Sequence, residues 1–251
     1  MAQQPAGRQR AKEYGDYGEC NALHIALDDP DDTVLDFLLS LNIPMDQQNF
    51  DKMTPFFKLI KTKNVEAEPF KTVLGKMLAV KADVDTPDQF GVSAFWHCFV
   101  NKRYDTAFLL AKHGADLNRM DNYGWFPLKR MLFEDNREML GKLLEMGADP
   151  NVQDEFARTV LHHAVNRSNP ASDMTAVTLL LRHNARCDAV DAKGRTPLHY
   201  AFVKKNRRTA NSELDPANVV SLLVKKETLS IDARDCYGKT AMHYAAQRGA
   251  L

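Results

Sequence analysis

The chain has 251 residues, of which 44% are hydrophobic and 26% charged, with 33 basic side chains against 33 acidic ones. That composition is ordinary for a folded globular protein, and a net charge of zero gives no general attraction to nucleic acid. No apolar run approaches the roughly 18 residues that a membrane crossing needs. Four cysteines, Cys20, Cys98, Cys187 and Cys236, lack metal-ligand spacing, and free thiols suit a reducing compartment, the cytosol or the nucleus.

The opening segment, to about residue 15, carries no hydrophobic leader and reads as a disordered lead-in. From there a phrase recurs along the chain. It is clearest as Asp191-Ala-Lys-Gly194-Arg-Thr196-Pro197-Leu198-His199 and as Asp235-Cys-Tyr-Gly238-Lys-Thr240-Ala241-Met242-His243. Weaker copies start at Asp16, Asn49, Asp88, Asp121 and Asp154, at intervals of 33, 39, 33, 33, 37 and 44 residues. A period near 33 with insertions marks a repeat array. In each copy Asp-x-x-Gly supplies a tight turn, Thr stands at a helix N-cap, and Pro stands at the first helical position, where its missing N–H costs nothing. Apolar residues at i, i+3 and i+4, such as Leu198, Ala201 and Phe202, give one buried helical face.

In chain order, the spacing predicts first helices over 54–62, 93–101, 126–134, 159–167, 196–205 and 240–248. It predicts second helices over 33–41, 70–81, 105–113, 137–146, 173–183 and 216–226. Gly114 should end one of the second helices as a C-cap. Neither helix type is long enough to be stable alone, so neighbours must stack. The extra residues fall near 61–64, 167–170 and 207–212, between the two helices of a repeat. The last copy stops at Leu251 with an interior apolar pattern and no polar cap. The natural protein is therefore expected to continue.

These paired signatures resemble the ankyrin repeat over roughly residues 16–251. The resemblance implies an all-α solenoid of helix-turn-helix units with projecting β-hairpin fingers, and a protein–protein interaction scaffold of one monomeric chain. It also implies that His24, His162, His199 and His243, which close the phrase, bond the backbone of neighbouring turns rather than act chemically. In three copies Phe57, Trp96 and Lys129 replace this His, and its inter-repeat bonds should be missing there. The repeats after Asp191 also look loosely like those of ankyrin-bearing poly(ADP-ribose) polymerases, so a targeting module of a larger enzyme is an alternative reading.

Nothing in the chain has the form of a catalytic site, a metal site or a cofactor site. Tyr237-Gly-Lys-Thr240 resembles the tail of a phosphate-binding loop, but Ala233 stands where that loop needs glycine. Candidate partner-binding residues are those flanking the turn glycine. Phe90, Tyr123, Phe156, Lys193 and Tyr237 precede it; Trp125, Arg158, Arg195 and Lys239 follow it. Aromatics and arginines on exposed fingers are what interface hot spots are made of. Trp125 has no evident packing need in the sequence. The later fingers are basic, so an acidic protein or peptide is the expected partner, with a phosphorylated segment or another polyanion as the alternative.

Overall fold

Short amphipathic helices, each closed by a turn and laid against the next, account for the architecture. The computed structural model describes residues 20–28, 32–41, 43–61, 70–167, 174–203, 216–226 and 229–248. Among them run thirteen helices: α1 (Ala22–Ala26), α2 (Asp32–Ser40), α3 (Pro55–Lys61), α4 (Phe70–Ala79), α5 (Ala94–Val100), α6 (Tyr104–Lys112), α7 (Pro127–Phe133), α8 (Arg137–Glu145), α9 (Val160–Arg167), α10 (Thr175–Arg182), α11 (Pro197–Phe202), α12 (Pro216–Val224) and α13 (Ala241–Arg248). The predicted helices are present, most of them one to three residues shorter than the sequence pattern suggested. The lead-in, the bulk of the three insertions and the last three residues lie outside the described residues.

The chain divides into two compact units at Tyr123 and Gly124. In the first, α1, α3 and α5 stack in order, α2 packs on α4, and α1–α2, α3–α4 and α5–α6 form antiparallel hairpins. In the second, α7, α9, α11 and α13 stack in order, α8 packs on α10, and α7–α8, α9–α10 and α11–α12 form hairpins. The stacking buries the faces that the periodicity marked: Phe56, Leu59 and Ile60 on α3, Phe95, Cys98 and Phe99 on α5, and Val160, Leu161 and Ala164 on α9. Removing this apolar surface from water is what holds helices of five to ten residues in place.

The caps follow the sequence pattern. Asn21, Thr54 and Ser93 accept the backbone N–H three residues on, and Gly114 closes α6 at φ +90° with Ala115 N–H donating to Leu110 C=O. The fingers differ from the expected β-hairpins. In the fingers opened by Asn49, Asp88, Asp154, Asp191 and Asp235 the leading residue donates its N–H to the carbonyl four residues on, as from Asp88 to Val92 and from Asp191 to Arg195. No strand forms among the described residues.

Two features favour glycine at the turn of the finger opened by Asp88. Gly91 sits at φ +77°, and a Cβ there would lie 2.5 Å from Asn122 Oδ1 in the next finger. Lys52 and Ala157 occupy the same slot at φ +57° without being glycine. A left-handed non-glycine residue costs about 1–2 kcal/mol, partly offset by the greater unfolded-state freedom of glycine. Ala157→Gly is therefore expected to raise Tm by about 1–3 °C in a thermal melt; a lower Tm would count against strain at this turn.

Candidate functional site

The residue that opens each finger, usually aspartate, is its template. Asp88, Asp154, Asp191 and Asp235 are buried, and one carboxylate oxygen of each accepts the N–H groups two and four residues on. Asn49 does the same with its amide oxygen. The second oxygen reaches the first helix. Asp191 accepts from Tyr200 Oη at 2.7 Å, Asp235 from Tyr244 Oη at 2.5 Å, and Asp154 from His163 Nε2 at 2.8 Å. All three donors stand nine residues after their aspartate, a spacing visible in the sequence but not recognised there as a contact. These bonds, with burial working against them, hold the carboxyls of Asp154, Asp191 and Asp235 below the ordinary aspartate range. Burial first, then the Asp191 and Asp235 bonds, push Tyr200 and Tyr244 up to about 12.

Successive fingers join by single backbone bonds. In the first unit Gln89 N–H donates to Asp51 C=O and Asn122 N–H to Phe90 C=O. In the second, Ala192 N–H donates to Phe156 C=O at 2.9 Å and Cys236 N–H to Lys193 C=O at 2.8 Å. The phrase histidines add a second link: His24 Nε2 meets Met53 C=O, His162 meets Arg195 C=O and His199 meets Lys239 C=O at 2.9–3.2 Å. Because Nδ1 of His162 and His199 takes the backbone N–H of Thr159 and Thr196, the proton sits on Nε2, which donates to the carbonyl. Burial of His162 drives its pKa down to about 4.

Two of the three phrases that lack the histidine keep an inter-repeat polar link, contrary to expectation. Trp96 is buried and donates Nε1–H to Asp121 Oδ2 at 3.3 Å. Lys129, also buried, donates Nζ to Gly124 C=O at 2.8 Å and lies 3.4 Å from Asp154 Oδ2. Both side chains are long enough to reach the next template aspartate directly. Phe57 replaces the link by packing, edge-on to His97 at 5.8 Å.

The candidate binding residues separate into two groups. Phe90 and Tyr123 in the first unit, and Phe156, Lys193 and Tyr237 in the second, are exposed; Tyr123 and Tyr237 leave two-thirds of their surface in solvent. The residues after the glycine are engaged within the fold. Arg158 pairs with Asp154 and stacks on Phe156. Arg195 pairs with Asp191 and donates to Tyr200. Lys239 lies over the Tyr244 ring at 5.5 Å. The two arginines of the basic row are thus neutralised by their own aspartates, which the sequence reading did not foresee, whereas Lys193 is exposed and Lys239 meets a ring rather than a carboxylate. Trp125 does have a packing role: its ring meets Phe133 edge-on at 5.2 Å and lies under Lys129 and Arg130. Lys204 and its basic neighbours to Arg208 fall outside the described residues, as does the side chain of Arg248. No cluster of metal-ligating side chains occurs among the described residues, and none of their helices is long and apolar enough to cross a membrane.

Comparison with known proteins agrees with this geometry. Residues 128–213 match the family model for ankyrin repeats, in three copies. Inversin from Homo sapiens is 29% identical over 203 residues, covering 66% of this chain and 18% of its own length. The phosphocholine transferase AnkX of Legionella pneumophila is 24% identical over 220 residues, covering 84% of this chain and 22% of its own. The chain therefore spans about a fifth of the length of these relatives. The solved ankyrin repeat domain of Bcl-3 superposes with a TM-score of 0.62 at 22% identity, covering 89% of this chain and 93% of that one. The repeated Asp-turn, capped first helix and second helix give the chain the all-α ankyrin-repeat fold, and within it residues 128–213 match the ankyrin-repeat family.

Proposed function

We propose that this chain is a protein-recognition array that engages its partner through the exposed finger residues, Phe156, Lys193 and Tyr237 in the second unit and Phe90 and Tyr123 in the first. One observation carries the reading: large aromatic side chains stay in solvent on turns that are otherwise fixed by buried aspartates and finger-to-finger bonds. Rigid aromatics bind at low entropic cost, and they dominate interface energetics. Ankyrin repeats generally serve protein–protein interaction, which agrees with this reading; the same proposal has the chain work without catalysis of its own, in the cytosol or the nucleus.

The direct test pairs Phe156→Ser with Tyr237→Ser. A partner is first recovered by proximity labelling with the wild-type chain, then measured in purified binary binding. The double variant should keep its helical circular dichroism and bind at least about tenfold more weakly. Equal affinity would refute the finger surface.

A second reading draws support from length. Relatives of which this chain spans about a fifth include one that bears a transferase name. The array would then deliver a larger enzyme to its target, through the same surface.

A further inference from the structure

Beside the finger row, the second unit carries a separate patch where α7 meets α9. Trp125 and Phe133 form its half-buried floor, their rings 5.2 Å apart and nearly perpendicular. Arg130 lies over Trp125 at 5.8 Å, and the Arg167 guanidinium stacks on Phe133 at 4.5 Å. Lys129 and Arg158 stand behind, around Asp154.

The charges of this patch do not balance. Four cations, Lys129, Arg130, Arg158 and Arg167, face three carboxylates: Asp154, shared by Lys129 and Arg158, Glu134, paired with Arg130, and Glu155, which lies against Gly124. Arg167 is exposed, and its only polar partner among the described residues is the Phe133 carbonyl at 3.4 Å. An exposed guanidinium held over a ring with only one of its N–H groups bonded keeps donors available for a carboxylate. An apolar floor with an unanswered arginine at its rim thus fits one chemistry, an apolar side chain adjacent to an acid.

We infer that the Trp125–Phe133 face, rimmed by Arg130 and Arg167, docks a linear protein segment in which an apolar side chain stands next to an aspartate or glutamate. This deepens the recognition reading above and rests on it, but it names a different surface from the finger tips. A nucleic acid is a poorer match. It needs a continuous track of cations, whereas the neighbouring Arg195 is committed to Asp191 and the chain as a whole has no net charge.

The probe is a random linear-peptide library displayed on phage and selected against the whole 251-residue chain, followed by titration of the enriched peptides in solution. Enriched sequences should place Asp or Glu beside Leu, Phe or Trp. Arg167→Glu should weaken them by at least about tenfold. Binding should change tryptophan emission, and Trp125→Phe should abolish that change while leaving circular dichroism intact, because the other tryptophan, Trp96, is buried elsewhere. Neutral or basic peptides, indifference to Arg167→Glu, or tighter binding of a short DNA duplex with the same Arg167 dependence would each overturn the inference. Peptides that depend on Phe156 and Tyr237 but not on Arg167 would overturn it and leave finger recognition standing. A selection with no enrichment over bare phage would count against both.

Discussion

Asp154→Ala is expected to destabilise the second unit by about 3–5 kcal/mol, the largest effect of any single substitution considered for this chain. Asp154 is almost fully buried and serves two functions at once. One oxygen accepts the Phe156 and Arg158 N–H groups that shape the finger. The other is the acceptor for His163 and the counter-charge for Lys129 and Arg158. Alanine removes the turn template and leaves a buried ammonium without a carboxylate. Thermal melting should show a midpoint lower by about 10 °C or more.

The two functions can be separated. Asn49 already templates its own finger through an amide oxygen, so Asp154→Asn should keep the turn and lose only the charge. It should therefore cost clearly less than Asp154→Ala. Adding Lys129→Met to Asp154→Asn should recover part of the loss, because a methionine of similar length fills the site without a charge to desolvate. A double variant as unstable as the sum of the two single ones would mean that Lys129 and Asp154 do not interact, and the 3.4 Å contact would carry no energy.

The repeat, its turns and its helices were legible because each has a local cause: a turn glycine, an N-cap, an apolar stripe. Much of what the sequence hid lies between repeats. Nothing local shows that Trp96 donates to Asp121 or that Lys129 reaches Asp154, because both contacts join residues 25 apart. Arg158 and Arg195 were hidden by a contact inside the finger instead. Their place after the glycine suggested a free basic row, but the aspartate four residues earlier folds back to neutralise each of them. Trp125 could not be placed either, since its partner Phe133 sits at the far end of the following helix. By contrast, the exposure of Phe156 and Tyr237 follows from their position at the turn tip, which the motif fixes.

Stability should fall as pH drops from about 6.5 to about 4, before the carboxylates contribute. His162 titrates near 6.5 when unfolded and near 4 in the fold, where burial opposes its charge. Between those values the unfolded chain binds more protons, so His162 contributes its full stabilisation above about pH 6.5 and loses it on acidification, up to roughly 3 kcal/mol at pH 4. His24, His97 and His163 shift in the same direction, each through burial first, with the cations Arg103 and Lys61 adding to the effect at His97. Asp85 works weakly against them: burial and its neighbours Asp116 and Asp83 raise its carboxyl. The depressed aspartates add a further loss only once pH falls below their unfolded value near 3.8. In denaturant titrations across this range, His162→Gln should begin less stable at pH 7 by about 1–2 kcal/mol, having lost the bond to Arg195 C=O. Its dependence on pH should then be visibly flatter than that of the wild type, so that the two curves cross between about pH 6 and about pH 5 and the variant is the more stable of the two near pH 4. Parallel curves would show that the buried imidazole is not what makes the array acid-sensitive.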